Sequence, residues 1–215
     1  MYRGRSAQVL HALLLEPDRW WGVRELAAHA GVSPYTAHQV FTFLEEQLWA
    51  ERRGAGPDVA RRLSEPGQLL DAWAEAHTLR QYVPRRFHVW AQSTDTLLQT
   101  VGGALEEAEI EHALTLTTGA ALVAPFGTAL LPIAVLIPAG ADLILAIERA
   151  GLQPVQAGET VVLYATRERS PLQFRRRVHD RWVASSDIQL YLDLWAFPKR
   201  GREQAHHLRT ARLCY

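Results

Sequence analysis

Six polar side chains, Ser33, Tyr35, Thr36, His38, Gln39 and Thr42, are interleaved with the apolar Ala37, Val40 and Phe41. If this stretch is helical, the apolar positions share one face and the polar positions another. Hydroxyl, imidazole and carboxamide groups on the outer face of one helix are suited to reading base edges, and a glutamine such as Gln39 can pair bidentately with adenine. Two arginine pairs follow, Arg52-Arg53 and Arg61-Arg62, on either side of Gly54-Ala55-Gly56-Pro57-Asp58. Guanidinium groups flanking a loop tip are suited to phosphate, which positions a protein on DNA without reading its sequence. The alternative for these charges is a solvated turn.

These residues need particular elements to hold them. Val23–Leu48 reads as two helices joined by a tight turn at Gly31-Val32-Ser33. Leu26, Ala27 and Ala30 form one apolar face, and Val32, Ala37, Val40, Phe41, Leu44 and Leu48 the other. Gly31 stands where the first helix must stop in a left-handed conformation. Ser33 is placed to cap the second helix, with Pro34 at its first position. The pattern predicts a helix-turn-helix, whose second helix enters the major groove. The Gly/Pro loop after it predicts a hairpin, the wing of a winged helix. An ordinary helix pair in a small helical domain is the alternative.

Composition bounds the rest. The chain has 215 residues, 48% of them hydrophobic, enough for two modest domains. Formal net charge is zero, so no global field draws the chain to nucleic acid. Met1–Arg80 holds nine arginines against ten acidic residues. Positive charge must therefore be clustered, at the wing and at Arg3 and Arg5. Because affinity scales with the phosphates neutralised, a single copy would bind weakly, and a homodimer or two copies on repeated sites is expected. The single cysteine, Cys214, supports no disulfide framework or metal cluster, and Lys199 is the only lysine. The apolar stretch Ala129–Ile137 is interrupted by Pro132 and too short to span a bilayer. With no signal-peptide pattern at the N-terminus, a cytoplasmic protein is expected.

Before Val23, Arg5–Leu15 reads as a first helix, and Trp20 and Trp21 as core aromatics. Gln68–Thr78 reads as a linking helix with Leu69, Leu70, Trp73 and Ala76 inward, and the domain boundary falls near Gln81–Pro84. Beyond it helices and strands alternate. Strands are predicted at Arg86–Ala91, His112–Leu116, Ile133–Ile137, Val155–Ala157, Val161–Ala165 and Arg181–Ala184. Helices are predicted after a cap at Ser93 or Thr94, after Thr118, over Ala141–Ala150, over Ile188–Ala196 and over Arg202–Leu213. The fold class is α+β: a winged helix-turn-helix over residues 1–80, then a mixed α/β domain over 81–215.

The second half lacks a catalytic pattern. Gly102-Gly103 lies inside a helical stretch, and Gly119 stands alone, so neither is a phosphate loop. His206 and His207 are adjacent and diverge on a helix, which favours a surface pair over metal ligands. No serine sits in a nucleophile elbow, and Asp142 with Glu148 lacks a nearby lysine. Arg175-Arg176-Arg177 reads as a solvated face or a contact for nucleic acid or an acidic partner. The chain is expected to be no enzyme and to need no cofactor or metal.

Two stretches carry a resemblance. Val183–Leu194 (VASSDIQLYLDL), followed by Arg200–Ala205 (RGREQA), and Leu114–Pro125 (LTLTTGAALVAP) are similar in kind and order to segments of AbiEi-type antitoxins. The sequence departs at Ser186, where proline is common, and at Gln204. The resemblance implies a winged helix joined to an antitoxin domain. It also implies repression of the chain's own operon and neutralisation of a nucleotidyltransferase-like toxin without a stable complex. Independently of it, Ile188, Leu190, Tyr191, Leu192 and Leu194 predict a buried helix, with Asp193 satisfied by backbone or an arginine. Arg200 and Arg202, at a basic corner beside Gly201, are the candidate antitoxin surface. The partners expected are operator DNA and such a toxin, with no membrane. A standalone regulator whose α/β domain senses a ligand or partner is the alternative.

Overall fold

A computed structural model describes residues 1–127, 131–198 and 200–215, with Pro57 described in its backbone alone. Lys199 and the start of the apolar run Ala129–Ile137 lie outside the described residues. The fold is mixed α/β. Two compact units divide the chain, Met1–His77 together with Tyr215, and Thr78–Cys214. Among the described residues, no helix is long and apolar enough to cross a membrane.

In the first unit, α1 (Gly4–Leu15), α2 (Val23–Ala30) and α3 (Pro34–Glu46) surround a core of Leu10, Leu13, Leu26, Val40, Phe41 and Leu44. Gly31 ends α2 at φ 66°, and Val32 N–H donates to the Ala27 carbonyl at 2.9 Å. Ser33 Oγ then accepts from Thr36 N–H at 3.2 Å, with Pro34 at the first helical position. Both ends of the turn therefore follow from local residue types. A three-stranded antiparallel sheet completes the unit in the order β1 (Trp21–Gly22), β3 (Ala60–Leu63), β2 (Ala50–Arg53). A 3-10 turn, Gly56–Asp58, lies in the loop between β2 and β3. Helix α4 (Pro66–Ala76) begins two residues before the predicted start and buries Leu69, Leu70, Trp73 and Ala74 in this unit, so it is part of the unit's core and not a linker; Ala76, expected inside, is exposed.

The second unit is built on a seven-stranded mixed sheet. Its strands are β4 (Val83–His88), β5 (Ala113–Leu114), β6 (Ile133–Pro138), β7 (Gln153–Pro154), β8 (Val161–Thr166), β9 (Arg176–Val178) and β10 (Trp182–Ala184). The order is β7-β4-β8-β6-β5-β10-β9, with β6–β8 and β5–β10 parallel. The central β6 is buried along Ile133–Ile137, which explains its unbroken apolar run. Ile133, Val135 and Ile137, with Val161, Leu163 and Ala165 of β8, meet α5 (Thr94–Glu107) and α7 (Ile144–Ala150). The opposite face carries Leu136 and Tyr164 and meets α6 (Leu116–Val123), α8 (Ser170–Gln173) and α9 (Asp187–Trp195). Helix α10 (Gly201–Leu208) packs on α9 and α6 and runs into a π-helical turn, Arg209–Leu213.

Several strand boundaries differ from expectation. The strand expected over His112–Leu116 stops at Leu114, because Leu116 adopts φ 51° and opens α6 behind the cap residue Thr115. The strand expected at Val155–Ala157 is displaced to Gln153–Pro154, ahead of the turn at Gly158 (φ 77°). Strand β4 starts three residues early and runs through Pro84, in a stretch that β7 does not flank. Strand β9, formed in the basic run, was not expected. It joins β10 through His179 and Asp180, both at positive φ, with Arg181 N–H donating to the Val178 carbonyl at 3.2 Å. That is a tight hairpin turn made without glycine, with Asp180 of a type that favours such a turn and His179 beside it.

One buried group makes the first unit acid-sensitive. His11 of α1 is fully buried, edge-on to Trp73 with ring centroids 6.0 Å apart. Burial pulls its pKa down to about 3. An unfolded chain takes up a proton here as pH falls through about 6.5, whereas the folded chain refuses it until about 3. The stability involved is present in full above pH 6.5 and is lost on acidification, by about 1.4 kcal/mol per pH unit within that window. Urea titrations at pH 6.5 and 5 should therefore show a loss of about 2 kcal/mol that is absent in His11→Phe. An identical pH slope in parent and variant would mean that other groups carry the acid sensitivity.

Candidate nucleic-acid interface

Helix α3 divides its faces, although Leu48, expected on the buried one, lies past the helix end at φ 61° and is exposed. Ala37, Val40, Phe41 and Leu44 are buried, while Tyr35, His38, Gln39 and Thr42 are exposed. Tyr35 is 70% exposed. Gln39 Nε2 donates to the Tyr35 hydroxyl at 2.6 Å, so the two side chains form one polar pair a helical turn apart. Thr42 Oγ1 donates to the His38 carbonyl at 3.1 Å. Ser33 and Thr36 have a different position. Their hydroxyls lie 3.0 Å apart and Ser33 caps the helix, so both are engaged in starting α3; Thr36 is half-buried. An outward patch of phenol, imidazole and carboxamide remains on the first and second turns.

The hairpin divides its arginines. Arg52 and Arg53 are exposed on β2. Arg61, expected at the tip with them, is buried. Its Nε donates to Glu45 Oε1 at 2.5 Å, and its guanidinium lies over the Phe41 ring, 5.2 Å from the centroid. It is an interior ion pair joining β3 to the end of α3 and is withdrawn from phosphate. Arg62 is half-buried, donates from Nε to Glu51 at 2.7 Å, and stands over Trp20 at 5.0 Å. Arg53 approaches the same Trp20 ring, at 4.2 Å. The register explains the division. Arg61 precedes the inward Leu63 by two residues, and side chains two apart on a strand share a face. That signal was present in the sequence. The role of Trp20 as a half-buried platform for two guanidinium groups carried no such signal, because it depends on a partner 33 or more positions away. Trp21 is fully buried, as core aromatics are expected to be.

The acidic residues of this unit are placed to match. Glu45 and Glu51 fold onto Arg61 and Arg62, while Glu16 and Glu25 both bond Arg19. Arg3 and Arg5 are exposed at the start of α1.

In the second unit, Arg200 is exposed, pairs with Glu203 at 2.9 Å and faces the Phe126 ring at 5.6 Å. Arg202 is exposed over the Trp195 ring at 4.9 Å. Between them Gly201 is buried, and a Cβ there would collide with the Leu194 carbonyl and lie 2.8 Å from Phe197 Cβ. Arg200 also borders a cavity of about 390 Å³ lined by Phe126, Tyr164, Phe197 and Gln204. His206 and His207 diverge as expected, onto Trp195 and Phe126. The basic run is matched residue by residue to acids: Arg175 to Glu111, Arg176 to Asp187, Arg177 to Glu106. It forms cross-links within the unit and is no open cationic face. Asp193, expected to meet backbone or an arginine, accepts from the side chains of Tyr82, Thr115 and Gln189.

No family model, curated protein or solved structure matches the chain.

The two kinds of hairpin arginine make a direct comparison. Arg61→Ala strands a partly buried Glu45 carboxylate and should lower unfolding stability by about 1–3 kcal/mol. Arg52→Ala should stay within about 0.5 kcal/mol of the parent, as exposed substitutions do. Chemical denaturation of both variants checks this, and equal effects would contradict the inward assignment of Arg61.

Proposed function

We propose that this protein is a DNA-binding transcriptional regulator whose first unit is a winged helix-turn-helix. In this reading α3 lies in the major groove, and the β2–β3 hairpin is the wing. The observation that carries the proposal is the exposed polar stripe Tyr35, His38, Gln39 and Thr42 on a helix set by a Gly31–Ser33 turn. Such a helix, held from behind by an apolar face and flanked by an antiparallel hairpin, is the arrangement that presents side chains to base edges. Arg52 and Arg53 are the phosphate contacts of the wing, and Arg3 and Arg5 add charge at α1. Arg61 and Arg62 support the hairpin from within. Few phosphate contacts per copy make binding by a homodimer, or by two copies on repeated half-sites, part of the proposal.

The finer reading is an antitoxin of the AbiEi type, which represses its own operon and counteracts a nucleotidyltransferase-like toxin. It rests on the resemblance over residues 114–125, 183–194 and 200–205. Supporting it, these segments contribute α6, α9 and α10, which pack on one another. Gly119 approaches Leu190, and Gly201 approaches Leu194. Arg200 and Arg202 are the surface assigned to toxin neutralisation.

Selection of binding sites from random duplexes tests the DNA reading. The parent chain should enrich two related half-sites. Gln39→Ala should cost about 1–3 kcal/mol at a single base position and relax preference there. Arg52→Ala with Arg53→Ala should weaken binding to all sequences alike, with the salt slope lowered by about 2. Failure of the parent to enrich any duplex sequence would overturn the proposal.

A further inference from the structure

Helix α5 carries Gly102 and Gly103 in its interior. Glycine is a poor helix former, so two in succession weaken the helix unless the space they leave is needed. Nothing described in this chain needs it, since a Cβ built on either residue meets no atom within 4 Å. Both glycines line a cavity of about 170 Å³ in the second unit. Its other walls are largely apolar, with Leu98, Leu105, Leu114 and Val135 and the Trp182 ring among them. That is the size at which an apolar protein cavity holds a benzene-like molecule.

One buried polar side chain gives the cavity chemical direction. His112 lines it and is only 7% exposed. Its Nδ1 lies 2.9 Å from the Ile110 carbonyl oxygen. A carbonyl only accepts, so Nδ1 carries the proton. Burial lowers the ring's pKa, which keeps it neutral and leaves Nε2 an acceptor. The hydrogen bond to Ile110 uses Nδ1 and leaves Nε2 as the ring's accepting nitrogen. The charged lining residues are engaged with other partners. Arg181 pairs with Asp95 at 2.9 Å and lies over Trp182, and Glu106 meets Arg177 at 3.4 Å. The site thus offers an apolar slot with the His112 ring and the Gln99 carboxamide on its wall, and its charged residues are paired with neighbours.

We propose that this cavity binds a small neutral aromatic molecule of the indole or phenol class, whose N–H or O–H donates to His112 Nε2. The glycine pair leaves space on the cavity wall for such a ring. The site lies within the second unit and does not rest on the DNA-binding proposal.

Indole and benzofuran are the probes, since they share size and shape but only indole has a donor. Each is titrated into the full chain and followed by amide and histidine-ring NMR. Saturable indole binding is expected, with shifts centred on Gly102, Gly103, Trp182 and the His112 ring, and benzofuran at least tenfold weaker. Gly102→Leu fills the space and should abolish indole binding. Gly102→Ala, whose methyl meets no atom of this chain, should melt no lower than the parent and bind indole at least threefold more weakly, which separates occupancy from misfolding. Absence of saturable indole binding, equal binding of the two probes, shifts centred elsewhere, or unchanged binding by Gly102→Ala would overturn the proposal.

Discussion

Asp193 is a carboxylate with no exposed surface, and donors from separate parts of the second unit converge on it. The Tyr82 hydroxyl, just ahead of β4, donates at 2.9 Å. Thr115 Oγ1, at the start of α6, donates at 2.6 Å, and Gln189 Nε2, one turn back on α9, at 2.8 Å. Gln189 also donates to the Tyr82 oxygen at 3.0 Å, so the groups form one connected network. Burial, reinforced by the neighbouring Asp193, holds the Tyr82 hydroxyl well above its ordinary pKa, so it stays a donor. A buried acceptor deprived of one partner costs about 1–3 kcal/mol, more if charged. The carboxylate thereby ties α9 to the segment leading into β4 and to the start of α6. The two tight glycines work at the same place. Gly119 lets α6 reach the Leu114 carbonyl and the Leu190 side chain, and Gly201 lets α10 turn against the end of α9. The corner that presents Arg200 and Arg202 is a consequence of that packing.

The first unit depends on a different balance. Arginines and acids are nearly equal in number there, yet their positions are not interchangeable. Glu45 and Glu51 are drawn onto Arg61 and Arg62, and Trp20 and Phe41 supply ring faces to the same cations. An arginine stem buried along apolar surface with its head paired contributes packing as much as charge. The surface left outward is thereby sorted, with neutral donors and acceptors on α3 and cations on β2. A chain of zero formal net charge acquires a locally distinct face in this way, without a basic excess.

Much of the helical framework was legible, for local reasons. The Gly31 stop, the Ser33 cap and Pro34 act within a few residues of the turn they make. The β2–β3 hairpin followed from a Gly/Pro loop between short extended stretches. The run Ile188–Leu194 was apolar almost all round, and every residue in it is buried. The misses share one cause. Strand β9 consists of two arginines and a valine, and it is a strand only because β10 pairs with it across a His179-Asp180 turn. The end of β5 depends on Leu116 taking a left-handed conformation that its residue type disfavours, enforced by the surrounding packing. Arg175, Arg176 and Arg177 look like an open basic patch until their acidic partners arrive from distant parts of the chain.

What the sequence by itself determined are the features set by a few neighbouring residues: helix stops and caps, apolar periodicity, and the polar stripe between Tyr35 and Thr42. Tertiary structure alone decided the pairing of charges and the occupants of the interior. Arg61 is buried and Arg52 exposed although they are chemically identical and sit opposite each other in the hairpin register. Asp193 is satisfied by side chains up to 111 positions away. His112 is held in one tautomer by a carbonyl two residues before it, yet becomes a cavity wall only because α5 and β10 close around it. Backbone preferences and caps act over one or two turns. Desolvation and ion pairing act over whatever the fold brings within a few ångströms, so their outcome is fixed only once the chain is packed.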